Sequence, residues 1–437
     1  MKVAVIQFPG SNCERETLLA LKRVGLRAEP ILWNENLERL KEFSAYVLIG
    51  GFSYEDRVRS GLIAAMDPLM QVLKTEAKTG KAILGICNGA QILVESGLVP
   101  GLPDNAVAIA LTHNQRILDG KLVGTGFYNT WINIKASGVN PKNAFSYLSS
   151  PLGGEKGPKE RMREPQTLTH PMRIPLAHGE GRFMLEPELY EALKKTDAVF
   201  YYYCDAQGNI TPEFPTNPNG TAFNLAGVSN AQGNVLALMP HPERTPAGDP
   251  LFLALKEYLE RWQTNGHKPL SSAILNYTPP QLTFTPYIVD EEALHFWVGL
   301  NIHDNEALSL ENSLQMQGLP LKLKRYTHWQ IEGISQDKAQ TIINSDFILN
   351  PKKEYTLSLN QLKTKGKKIY IIRPKEDEMA LHKQNLLQEE LKLPVKRIIR
   401  ETVWAVDAED KHLPTIIKAL EERPIFGNPL SHQAFIL

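Results

Sequence analysis

The sequence predicts an α/β fold with a mainly parallel sheet and helices on both faces, followed by a smaller, duplicated α+β domain. Short apolar runs alternate with amphipathic helical patterns through the first half of the chain, and a strand-helix-strand-helix-strand pattern occurs twice in the last third. Alternation of this kind favours parallel strands, because each helix returns the chain to the same end of the sheet. The reactive groups of such folds lie at the carboxyl ends of the strands.

The first domain is expected to span residues 1–262. Apolar runs predict strands at 2–8, 28–33, 46–49 and 82–86, and periodic segments predict helices at 14–24, 59–79, 90–95 and 251–262. Residues 263–290 show no clean periodicity and contain Pro279, Pro280 and Pro286, so they are interpreted as a linker.

Residues 291–437 are interpreted as a duplicated domain with copies at 295–360 and 367–437. Three landmarks of the first copy recur in the second: Trp329 matches Trp404, Lys324-Arg325 matches Lys396-Arg397, and Asn350-Pro351 matches Asn428-Pro429. One copy of about 70 residues has a marginal core, so the two copies are expected to pair through their sheets. Coincidental β-α patterning is the alternative, and the recurrence of Asn-Pro near both ends argues against it.

Composition excludes several function classes. The 48 Lys and Arg balance the 48 Asp and Glu, so there is no basic footprint for nucleic acid or an anionic membrane. The three cysteines are widely spaced and form neither a disulfide framework nor a zinc pattern, so no metal site is expected. No leader-like segment and no apolar run of about 20 residues is visible, which predicts a cytoplasmic protein.

Cys87 is the strongest candidate for a reactive group. It lies between a predicted strand and a predicted helix in Gly85-Ile86-Cys87-Asn88-Gly89. The glycines remove side chains that would block a sharp turn, which predicts a nucleophile elbow. The helix N-terminus would favour the thiolate, the form that attacks carbon. A lone cysteine is more often a buried core residue, but the flanking glycines favour the reactive interpretation.

His241 and Glu243 are the candidate base and its orienting acid. They follow an apolar strand in Met239-Pro240-His241-Pro242-Glu243. The prolines favour extended backbone at the residues before them, and an extended backbone would place His241 and Glu243 on the same side. Glu243 could then orient the imidazole that serves the thiol. A surface histidine in a turn is the alternative.

A double glycine after the third predicted strand is the candidate oxyanion hole. Acyl transfer needs donors for the developing negative charge, and the backbone N–H groups of Gly51 and Asn88 are the natural pair. By itself a Gly-Gly after a strand is weak evidence, since most such pairs are turns.

Together these motifs resemble the class I glutamine amidotransferases, a flavodoxin-like family with G-x-C-x-G-x-Q and a later H-x-E. Within that class the sequence is similar to the glutaminase family of phosphoribosylformylglycinamidine synthase, which acts in purine biosynthesis. Five separated motifs in residues 1–262 carry the similarity: Phe8-Pro9-Gly10-Ser11-Asn12-Cys13, Gly50-Gly51-Phe52-Ser53-Tyr54, Ala177-His178-Gly179-Glu180-Gly181-Arg182, Asn217-Pro218-Asn219-Gly220 and Leu238-Met239-Pro240-His241-Pro242-Glu243-Arg244.

The resemblance implies that Cys87 attacks the side-chain amide of L-glutamine, forms a glutamyl thioester and releases ammonia. It implies that Gln91, Phe52 and Ser53 contact the glutamine. The second half resembles the small-subunit family of the same synthase, which implies docking on a large synthetase that converts formylglycinamide ribonucleotide to the amidine. No Gly-x-x-x-x-Gly-Lys-Ser/Thr phosphate loop occurs in this sequence, so ATP and Mg are expected only on that partner and no cofactor is expected here.

Two other functions stay open. One is an amidotransferase of another pathway or a cysteine hydrolase on the same fold; the other is a non-catalytic assembly scaffold. The purine-type motifs argue against the first and the intact triad argues against the second. Glu55 stands where the family usually has glycine, and residues 135–172 are interpreted as a surface insertion. His178 and Arg182 have no derived role, and Cys13 is interpreted as a small packed residue.

Overall fold

The chain forms two compact units in its computed structural model, which describes residues 1–146 and 168–437. The units are Met1–Pro279 and Pro280–Leu437. No helix in these described ranges is long and apolar enough to cross a membrane.

The described part of the first unit has one nine-stranded sheet and two separate two-stranded sheets. Its strands are β1 (Lys2–Gln7), β2 (Arg27–Leu32), β3 (Ala45–Leu48), β4 (Ala82–Ile86), β5 (Ala110–Thr112), β6 (Gln115–Leu118), β7 (Lys121–Thr125), β8 (Tyr128–Ala136), β9 (Met172–His178), β10 (Arg182–Met184), β11 (Phe200–Cys204), β12 (Leu225–Ser229) and β13 (Val235–Leu238). Its helices are α1 (Glu14–Arg23), α2 (Leu62–Ala65), α3 (Pro68–Lys78), α4 (Asn88–Glu95), α5 (Pro187–Leu193) and α6 (Asp249–Thr264).

The large sheet has the order β2-β1-β3-β4-β13-β12-β11-β8-β9. The pairs from β2 to β13 are parallel, and those from β13 to β9 are antiparallel. The predicted α/β class is confirmed, but the sheet is mixed rather than mainly parallel. A short turn causes the change of direction: Asn230 Oδ1 accepts from the backbone N–H groups of Asn234 and Val235, both at 3.0 Å, and so closes the link between β12 and β13. So short a link can join only antiparallel neighbours.

The predicted helix at residues 59–79 is two helices. The first ends at Ala65, and Asp67 caps the second, where its side chain accepts from the backbone N–H of Leu69 at 2.8 Å. Pro68 occupies the first helical position, where its missing N–H costs nothing. The predicted single helix is wrong because the Asp-Pro pair favours a new start over a continuous helix.

The interpretation of residues 135–172 as a surface insertion is wrong at both ends. Strand β8 continues to Ala136, β9 begins at Met172, and Phe145 and Leu168 are buried in the core. Residues 147–167 lie outside the described ranges.

The segment at 263–290 divides between the two units. Leu275 is buried in the core of the first unit, and Ser271 Oγ donates to Asp197 at 2.6 Å. Residues Phe284–Pro286 form a strand, β14, at one edge of the second unit's sheet.

The second unit carries one sheet with helices. Its strands are β14 (Phe284–Pro286), β15 (Leu294–Leu300), β16 (Lys322–Glu332), β17 (Glu354–Leu357), β18 (Lys368–Pro374), β19 (Arg397–Asp407) and β20 (His432–Ile436). Its helices are α7 (Asn305–Met316), α8 (Ala339–Asn344), α9 (Leu359–Lys363), α10 (Glu378–Glu389) and α11 (Leu413–Glu422).

Apart from the edge strand β14, the strand order of the second unit is the same on both sides of its centre. The order is β14-β20-β18-β19-β16-β15-β17, so the triplet β20-β18-β19 mirrors the triplet β17-β15-β16. The central pair, β16 with β19, is antiparallel over 11 residues and has Thr327 opposite Thr402 at its middle. Aligning these strands by their ends equates Trp329 with Trp404 and Arg325 with Arg400, so the expected match of Arg325 to Arg397 is wrong.

Equivalent arginines make equivalent contacts in the two halves. Asp304 caps α7 and accepts from Arg325 Nε at 3.0 Å, while Asp377 caps α10 and accepts from Arg400 Nε at 2.8 Å. Each aspartate therefore satisfies the first turn of a helix and ties that helix to a central strand.

We expect Asp304→Ala and Asp377→Ala each to lower the free energy of unfolding of the second unit by about 1–2 kcal/mol, since each loses a cap and an ion pair. Urea unfolding of the full chain measures this. Asp410→Ala is the control, because the Asp410 side chain is 90% exposed in its pair with Lys367. A loss at either capping position as small as that at Asp410 would contradict the equivalence.

Candidate active site

Cys87 occupies a strained turn between β4 and α4. Its backbone has φ 52° and ψ −108°, an uncommon conformation for a residue with a side chain. Its carbonyl oxygen accepts from the N–H groups of Ala90 and Gln91, at 2.9 and 3.1 Å, and so starts the helix. A Cβ at Gly89 would collide with the carbonyl oxygen of Leu48, so only glycine lets α4 pack this closely on β3. The local geometry is that of a nucleophile elbow.

His241 and Glu243 form a buried pair beyond the end of β13. His241 Nδ1 lies 2.7 Å from Glu243 Oε1, and both side chains are almost fully buried. The His241 backbone N–H donates to the carbonyl of Pro175 at 2.8 Å, which holds this segment against β9. The predicted extended backbone is wrong in detail, because Pro242–Arg244 form a 3₁₀ turn. The turn still brings the carboxylate to the imidazole.

Cys87 and His241 meet at Gly50. A Cβ at Gly50 would lie 3.0 Å from His241 Cε1 and 3.5 Å from Cys87 Cβ, so only a glycine leaves room between them. His241 Nε2 is buried and has no hydrogen-bond partner among the described residues. Burial lowers the pKa of His241, but the Glu243 carboxylate and the Cys87 sulfur outweigh it and hold that pKa well above its usual range. The imidazole is therefore suited to carry a proton beside the thiol.

Cys13 is a second sulfur in the same site, which the sequence did not predict. Its Sγ accepts from Arg244 Nη2 at 3.2 Å and would lie 3.0 Å from a Cβ at Gly50. Donor atoms of Cys13, His241 and Glu243 lie within 4.8 Å of one another, and thiolate, imidazole and carboxylate are the donors of a zinc site. Arg244 places a positive charge in the same cluster, which disfavours a bound cation.

A signal for Cys13 was present in the sequence. It follows β1, and the carboxyl ends of parallel strands share one edge of the sheet. Its interpretation as a small packed residue is correct about burial but misses its neighbours, since Cys13 is almost completely buried beside Arg244.

The two predicted oxyanion residues are chain neighbours of the elbow contacts: Gly51 follows Gly50, which lies beside Cys87, and Asn88 follows Cys87. Gly51 has φ 145°, and a Cβ there would clash with Ser11 Cα at 2.7 Å. Its neighbours are fixed, since Gly50 O accepts from Asn12 N at 3.1 Å and Phe52 N donates to Gly10 O at 3.0 Å. Asn88 is the first residue of α4, where backbone N–H groups have no partner within the helix.

The three predicted glutamine contacts have different surroundings. Gln91 is buried: its Nε2 donates to Glu180 O at 2.6 Å, and its Oε1 accepts from Asn88 Nδ2 at 2.9 Å. Phe52 is half exposed. Ser53 is buried, and its Oγ has no hydrogen-bond partner in the described part of the chain. Gln91 thus ties α4 to the loop after β9, while Phe52 and Ser53 keep groups that a ligand could contact.

His178 and Arg182 shape the loop that faces the elbow. Asn114 Oδ1 lies 3.1 Å from His178 Nδ1 and accepts from Gly181 N at 3.2 Å, while Asn114 Nδ2 donates to His178 O at 2.7 Å. Arg182 Nε donates to His113 O at 3.0 Å. Both residues therefore position backbone. Burial, and then the charge of nearby His241, lower the pKa of His178 to about 3.

The loop before α2 is strained. Tyr54, Glu55 and Asp56 have φ values of 52°, 59° and 53°, a left-handed run in non-glycine residues. Glu55 adopts a conformation that glycine would take without strain. The run turns the Asp56 side chain toward Asn88, whose Nδ2 lies 3.1 Å from Asp56 Oδ1.

Comparison with known proteins agrees with this geometry. The sequence profile of the CobB/CobQ-like glutamine amidotransferase domain matches residues 1–118 and 162–250. The phosphoribosylformylglycinamidine synthase subunit PurQ of Methanothrix thermoacetophila is 43% identical over 245 residues, covering 56% of this chain and 86% of that protein. The same subunit of Pyrococcus furiosus is 38% identical over 244 residues, covering 56% of this chain and 89% of that protein.

A solved structure described as PurLQS from Thermotoga maritima is 28% identical, covers 59% of this chain and 98% of that chain, and has a TM-score of 0.42. The fold, the elbow and the matched profile define the first unit as a glutamine amidotransferase domain of class I type. By its similarity to the two PurQ subunits from Methanothrix thermoacetophila and Pyrococcus furiosus, the chain belongs to the PurQ family of phosphoribosylformylglycinamidine synthase subunits. Alignment with these relatives covers 56% of the chain.

We expect His178 to make the first unit sensitive to acid. Its pKa is about 3 in the folded state and about 6.5 when unfolded, so between these values the unfolded chain binds the extra proton. Stability therefore falls as the pH falls below about 6.5, by about 2 kcal/mol at pH 5.

His178→Asn removes this titration and keeps an amide near Asn114. The variant should be less stable than the parent at pH 7.5 and should approach it at pH 5, as measured by urea unfolding at both values. Exposed His170 provides the control variant His170→Asn. A stability gap for His178→Asn that stays constant with pH would contradict the assignment.

Proposed function

We propose that the first unit hydrolyses L-glutamine at Cys87 and supplies ammonia for the synthesis of phosphoribosylformylglycinamidine. The observation that carries this proposal is the meeting of an elbow cysteine with a buried imidazole-carboxylate pair across Gly50. Membership of the PurQ family supports the choice of substrate and pathway.

The residues have complementary roles in this mechanism. The Cys87 thiolate attacks the side-chain amide carbon, and the N–H groups of Gly51 and Asn88 bind the resulting oxyanion. His241 protonates the departing nitrogen, so ammonia leaves and a glutamyl thioester forms. His241 then takes a proton from water, which attacks the thioester and releases glutamate. Glu243 holds the imidazole in orientation and stabilises its charge.

Cys87→Ala should abolish glutamine-dependent amidine formation, by a factor of about 1,000 or more, because the nucleophile is gone. Synthesis with ammonium salts should stay within about twofold of the parent, because it bypasses the thiol. Amidine formation by the full chain with its synthetase, with each nitrogen source in turn, measures both rates.

Cys204→Ala is the matched control, since Cys204 is a buried cysteine in β11. It should retain both activities. Undiminished glutamine use by Cys87→Ala would refute the proposed mechanism.

We also propose that the second unit is an internal pair of two domains similar to the small PurS-type subunit, and that it docks the chain on the large synthetase. The symmetric order of the six strands from β20 to β17 and the equivalent Asp-Arg pairs support the internal pairing. ATP and Mg would act on the synthetase, and this chain would supply only ammonia. The docking role rests on resemblance to the small subunit.

A chain ending at Pro279 tests the docking role, because residues up to that point belong to the first unit. It should keep a reactive thiol at Cys87, measured as the rate of alkylation of that thiol. It should bind the synthetase at least about tenfold more weakly than the full chain. Equal binding in a pull-down titration would assign docking to the first unit instead.

A further inference from the structure

We propose that Asp56 and Glu180 form a carboxylate pair that recognises the α-ammonium group of the glutamine substrate. The inference rests on the proposed function and adds two specificity-determining residues to it. Neither residue was singled out by the sequence patterns.

Asp56 and Glu180 converge on the elbow from two different loops. Asp56 Oδ1 lies 3.1 Å from Asn88 Nδ2. Glu180 follows β9, its carbonyl accepts from Gln91 Nε2 at 2.6 Å, and its Oε2 accepts from Ser60 Oγ at 2.8 Å. Ser60 also acts on Asp56, since it lowers the pKa of that carboxyl, so Ser60 lies close to both carboxylates.

Among the residues that the structure describes, no lysine or arginine forms an ion pair with Asp56 or Glu180. Burial, and then the charge of Glu180, raise the pKa of Asp56 to about 7, while Ser60 and Asn88 act in the opposite direction; none of these groups is positive. The nearby arginines have other partners among the described residues, since Arg57 pairs with Glu55 and Arg59 with Glu95. His113 is the one described residue of basic type that pairs with them, with Nδ1 3.5 Å from Glu180 Oε1 and a side chain that is largely exposed.

A partly buried carboxylate pair of this kind favours a cationic ligand, because burial without a counter-charge costs free energy that a bound cation recovers. Glutamine carries such a cation in its α-ammonium group. An ammonium donates three hydrogen bonds, and two carboxylates and one hydroxyl could accept them.

A second observation places a polar ligand here. Ser53 Oγ is buried and has no hydrogen-bond partner within the described residues, although its own backbone N–H donates to Asn88 Oδ1 at 3.0 Å. Buried hydroxyls normally have a partner, so an orphaned one beside Asn88 indicates a group supplied from outside.

The separation between Asp56 and Cys87 is short enough for a glutamine anchored at the thiol to span. Asn88 is the next residue after Cys87, and its Nδ2 contacts Asp56 Oδ1. Asp56 Oδ1 therefore lies within roughly 11 Å of the Cys87 Cα. An extended glutamine joined at its side-chain carbon to the sulfur places its ammonium group at a comparable distance.

The test compares glutamine with glutaramate, which is glutamine with hydrogen in place of the α-ammonium. The full chain with its synthetase is assayed for amide hydrolysis. The parent should prefer glutamine by about 100-fold in kcat/KM, and Asp56→Asn and Glu180→Gln should each reduce this preference by about tenfold. The reduction should come from a higher KM for glutamine, with glutaramate kinetics unchanged. Both substitutions keep the acceptor oxygens that Asn88 and Ser60 use.

Glu55→Gln is the matched control, because it removes a neighbouring negative charge whose side chain is 77% exposed. It should leave the preference unchanged. Equal losses on both substrates in the Asp56 and Glu180 variants, or a retained preference, would overturn the recognition role and leave these residues as loop supports. A parent chain that hydrolyses neither substrate would refute the proposed function itself, which is a separate outcome.

Discussion

The parallel pairing of β4 with β13 is the constraint on which the site depends. The register sets Ile86 opposite Leu238, and the Cys87 N–H continues the ladder by donating to Leu238 O at 2.8 Å. Both strands therefore end at the same level, so the elbow cysteine and the turn that carries His241 emerge side by side. A one-residue slip in this register would turn every side chain of β13 to the other face and separate the pair.

The neighbouring strands supply the rest of the site by the same rule. Strand β3 ends at the double glycine and β1 ends before Cys13, so both reach the edge where β4 and β13 finish. The sequence could predict the elbow, the glycines and the imidazole-carboxylate pair because each is a short motif of consecutive residues at the end of a recognisable strand. The polar ties across the site were not predictable in this way. Asn114 to His178 and Arg244 to Cys13 join residues far apart in the chain, and no local pattern encodes such contacts.

In the second unit, too, the sequence predicted the elements but not how they are matched in space. The repeated element order predicted two copies, but the landmark pair Lys324-Arg325 was matched to the wrong residues, because loops of unequal length shift the numbering between the copies. Only the pairing of β16 with β19 fixes the equivalence, and it makes Arg325 and Arg400 partners of the two helix caps. The mixed sheet of the first unit has the same origin: the tight turn at Asn230 reverses a strand that the apolar pattern alone cannot orient.

A close histidine-glutamate pair is buried in each unit, and the contrast between the two pairs shows what makes such a pair reactive. His328 Nδ1 lies 2.6 Å from Glu401 Oε2, as close a contact as that of His241 with Glu243. Burial dominates at His328 and lowers its pKa, and Arg373 shares the carboxylate, whereas at His241 the neighbouring carboxylate and sulfur prevail.

The difference lies in position. His328 and Glu401 face each other in mid-strand under the ring of Trp297, and all three cysteines of the chain lie in the first unit. A buried imidazole-carboxylate pair within a sheet stabilises the sheet's interior. The same pair placed one turn beyond a strand end, across a glycine from a strained thiol, has the geometry that acyl transfer requires.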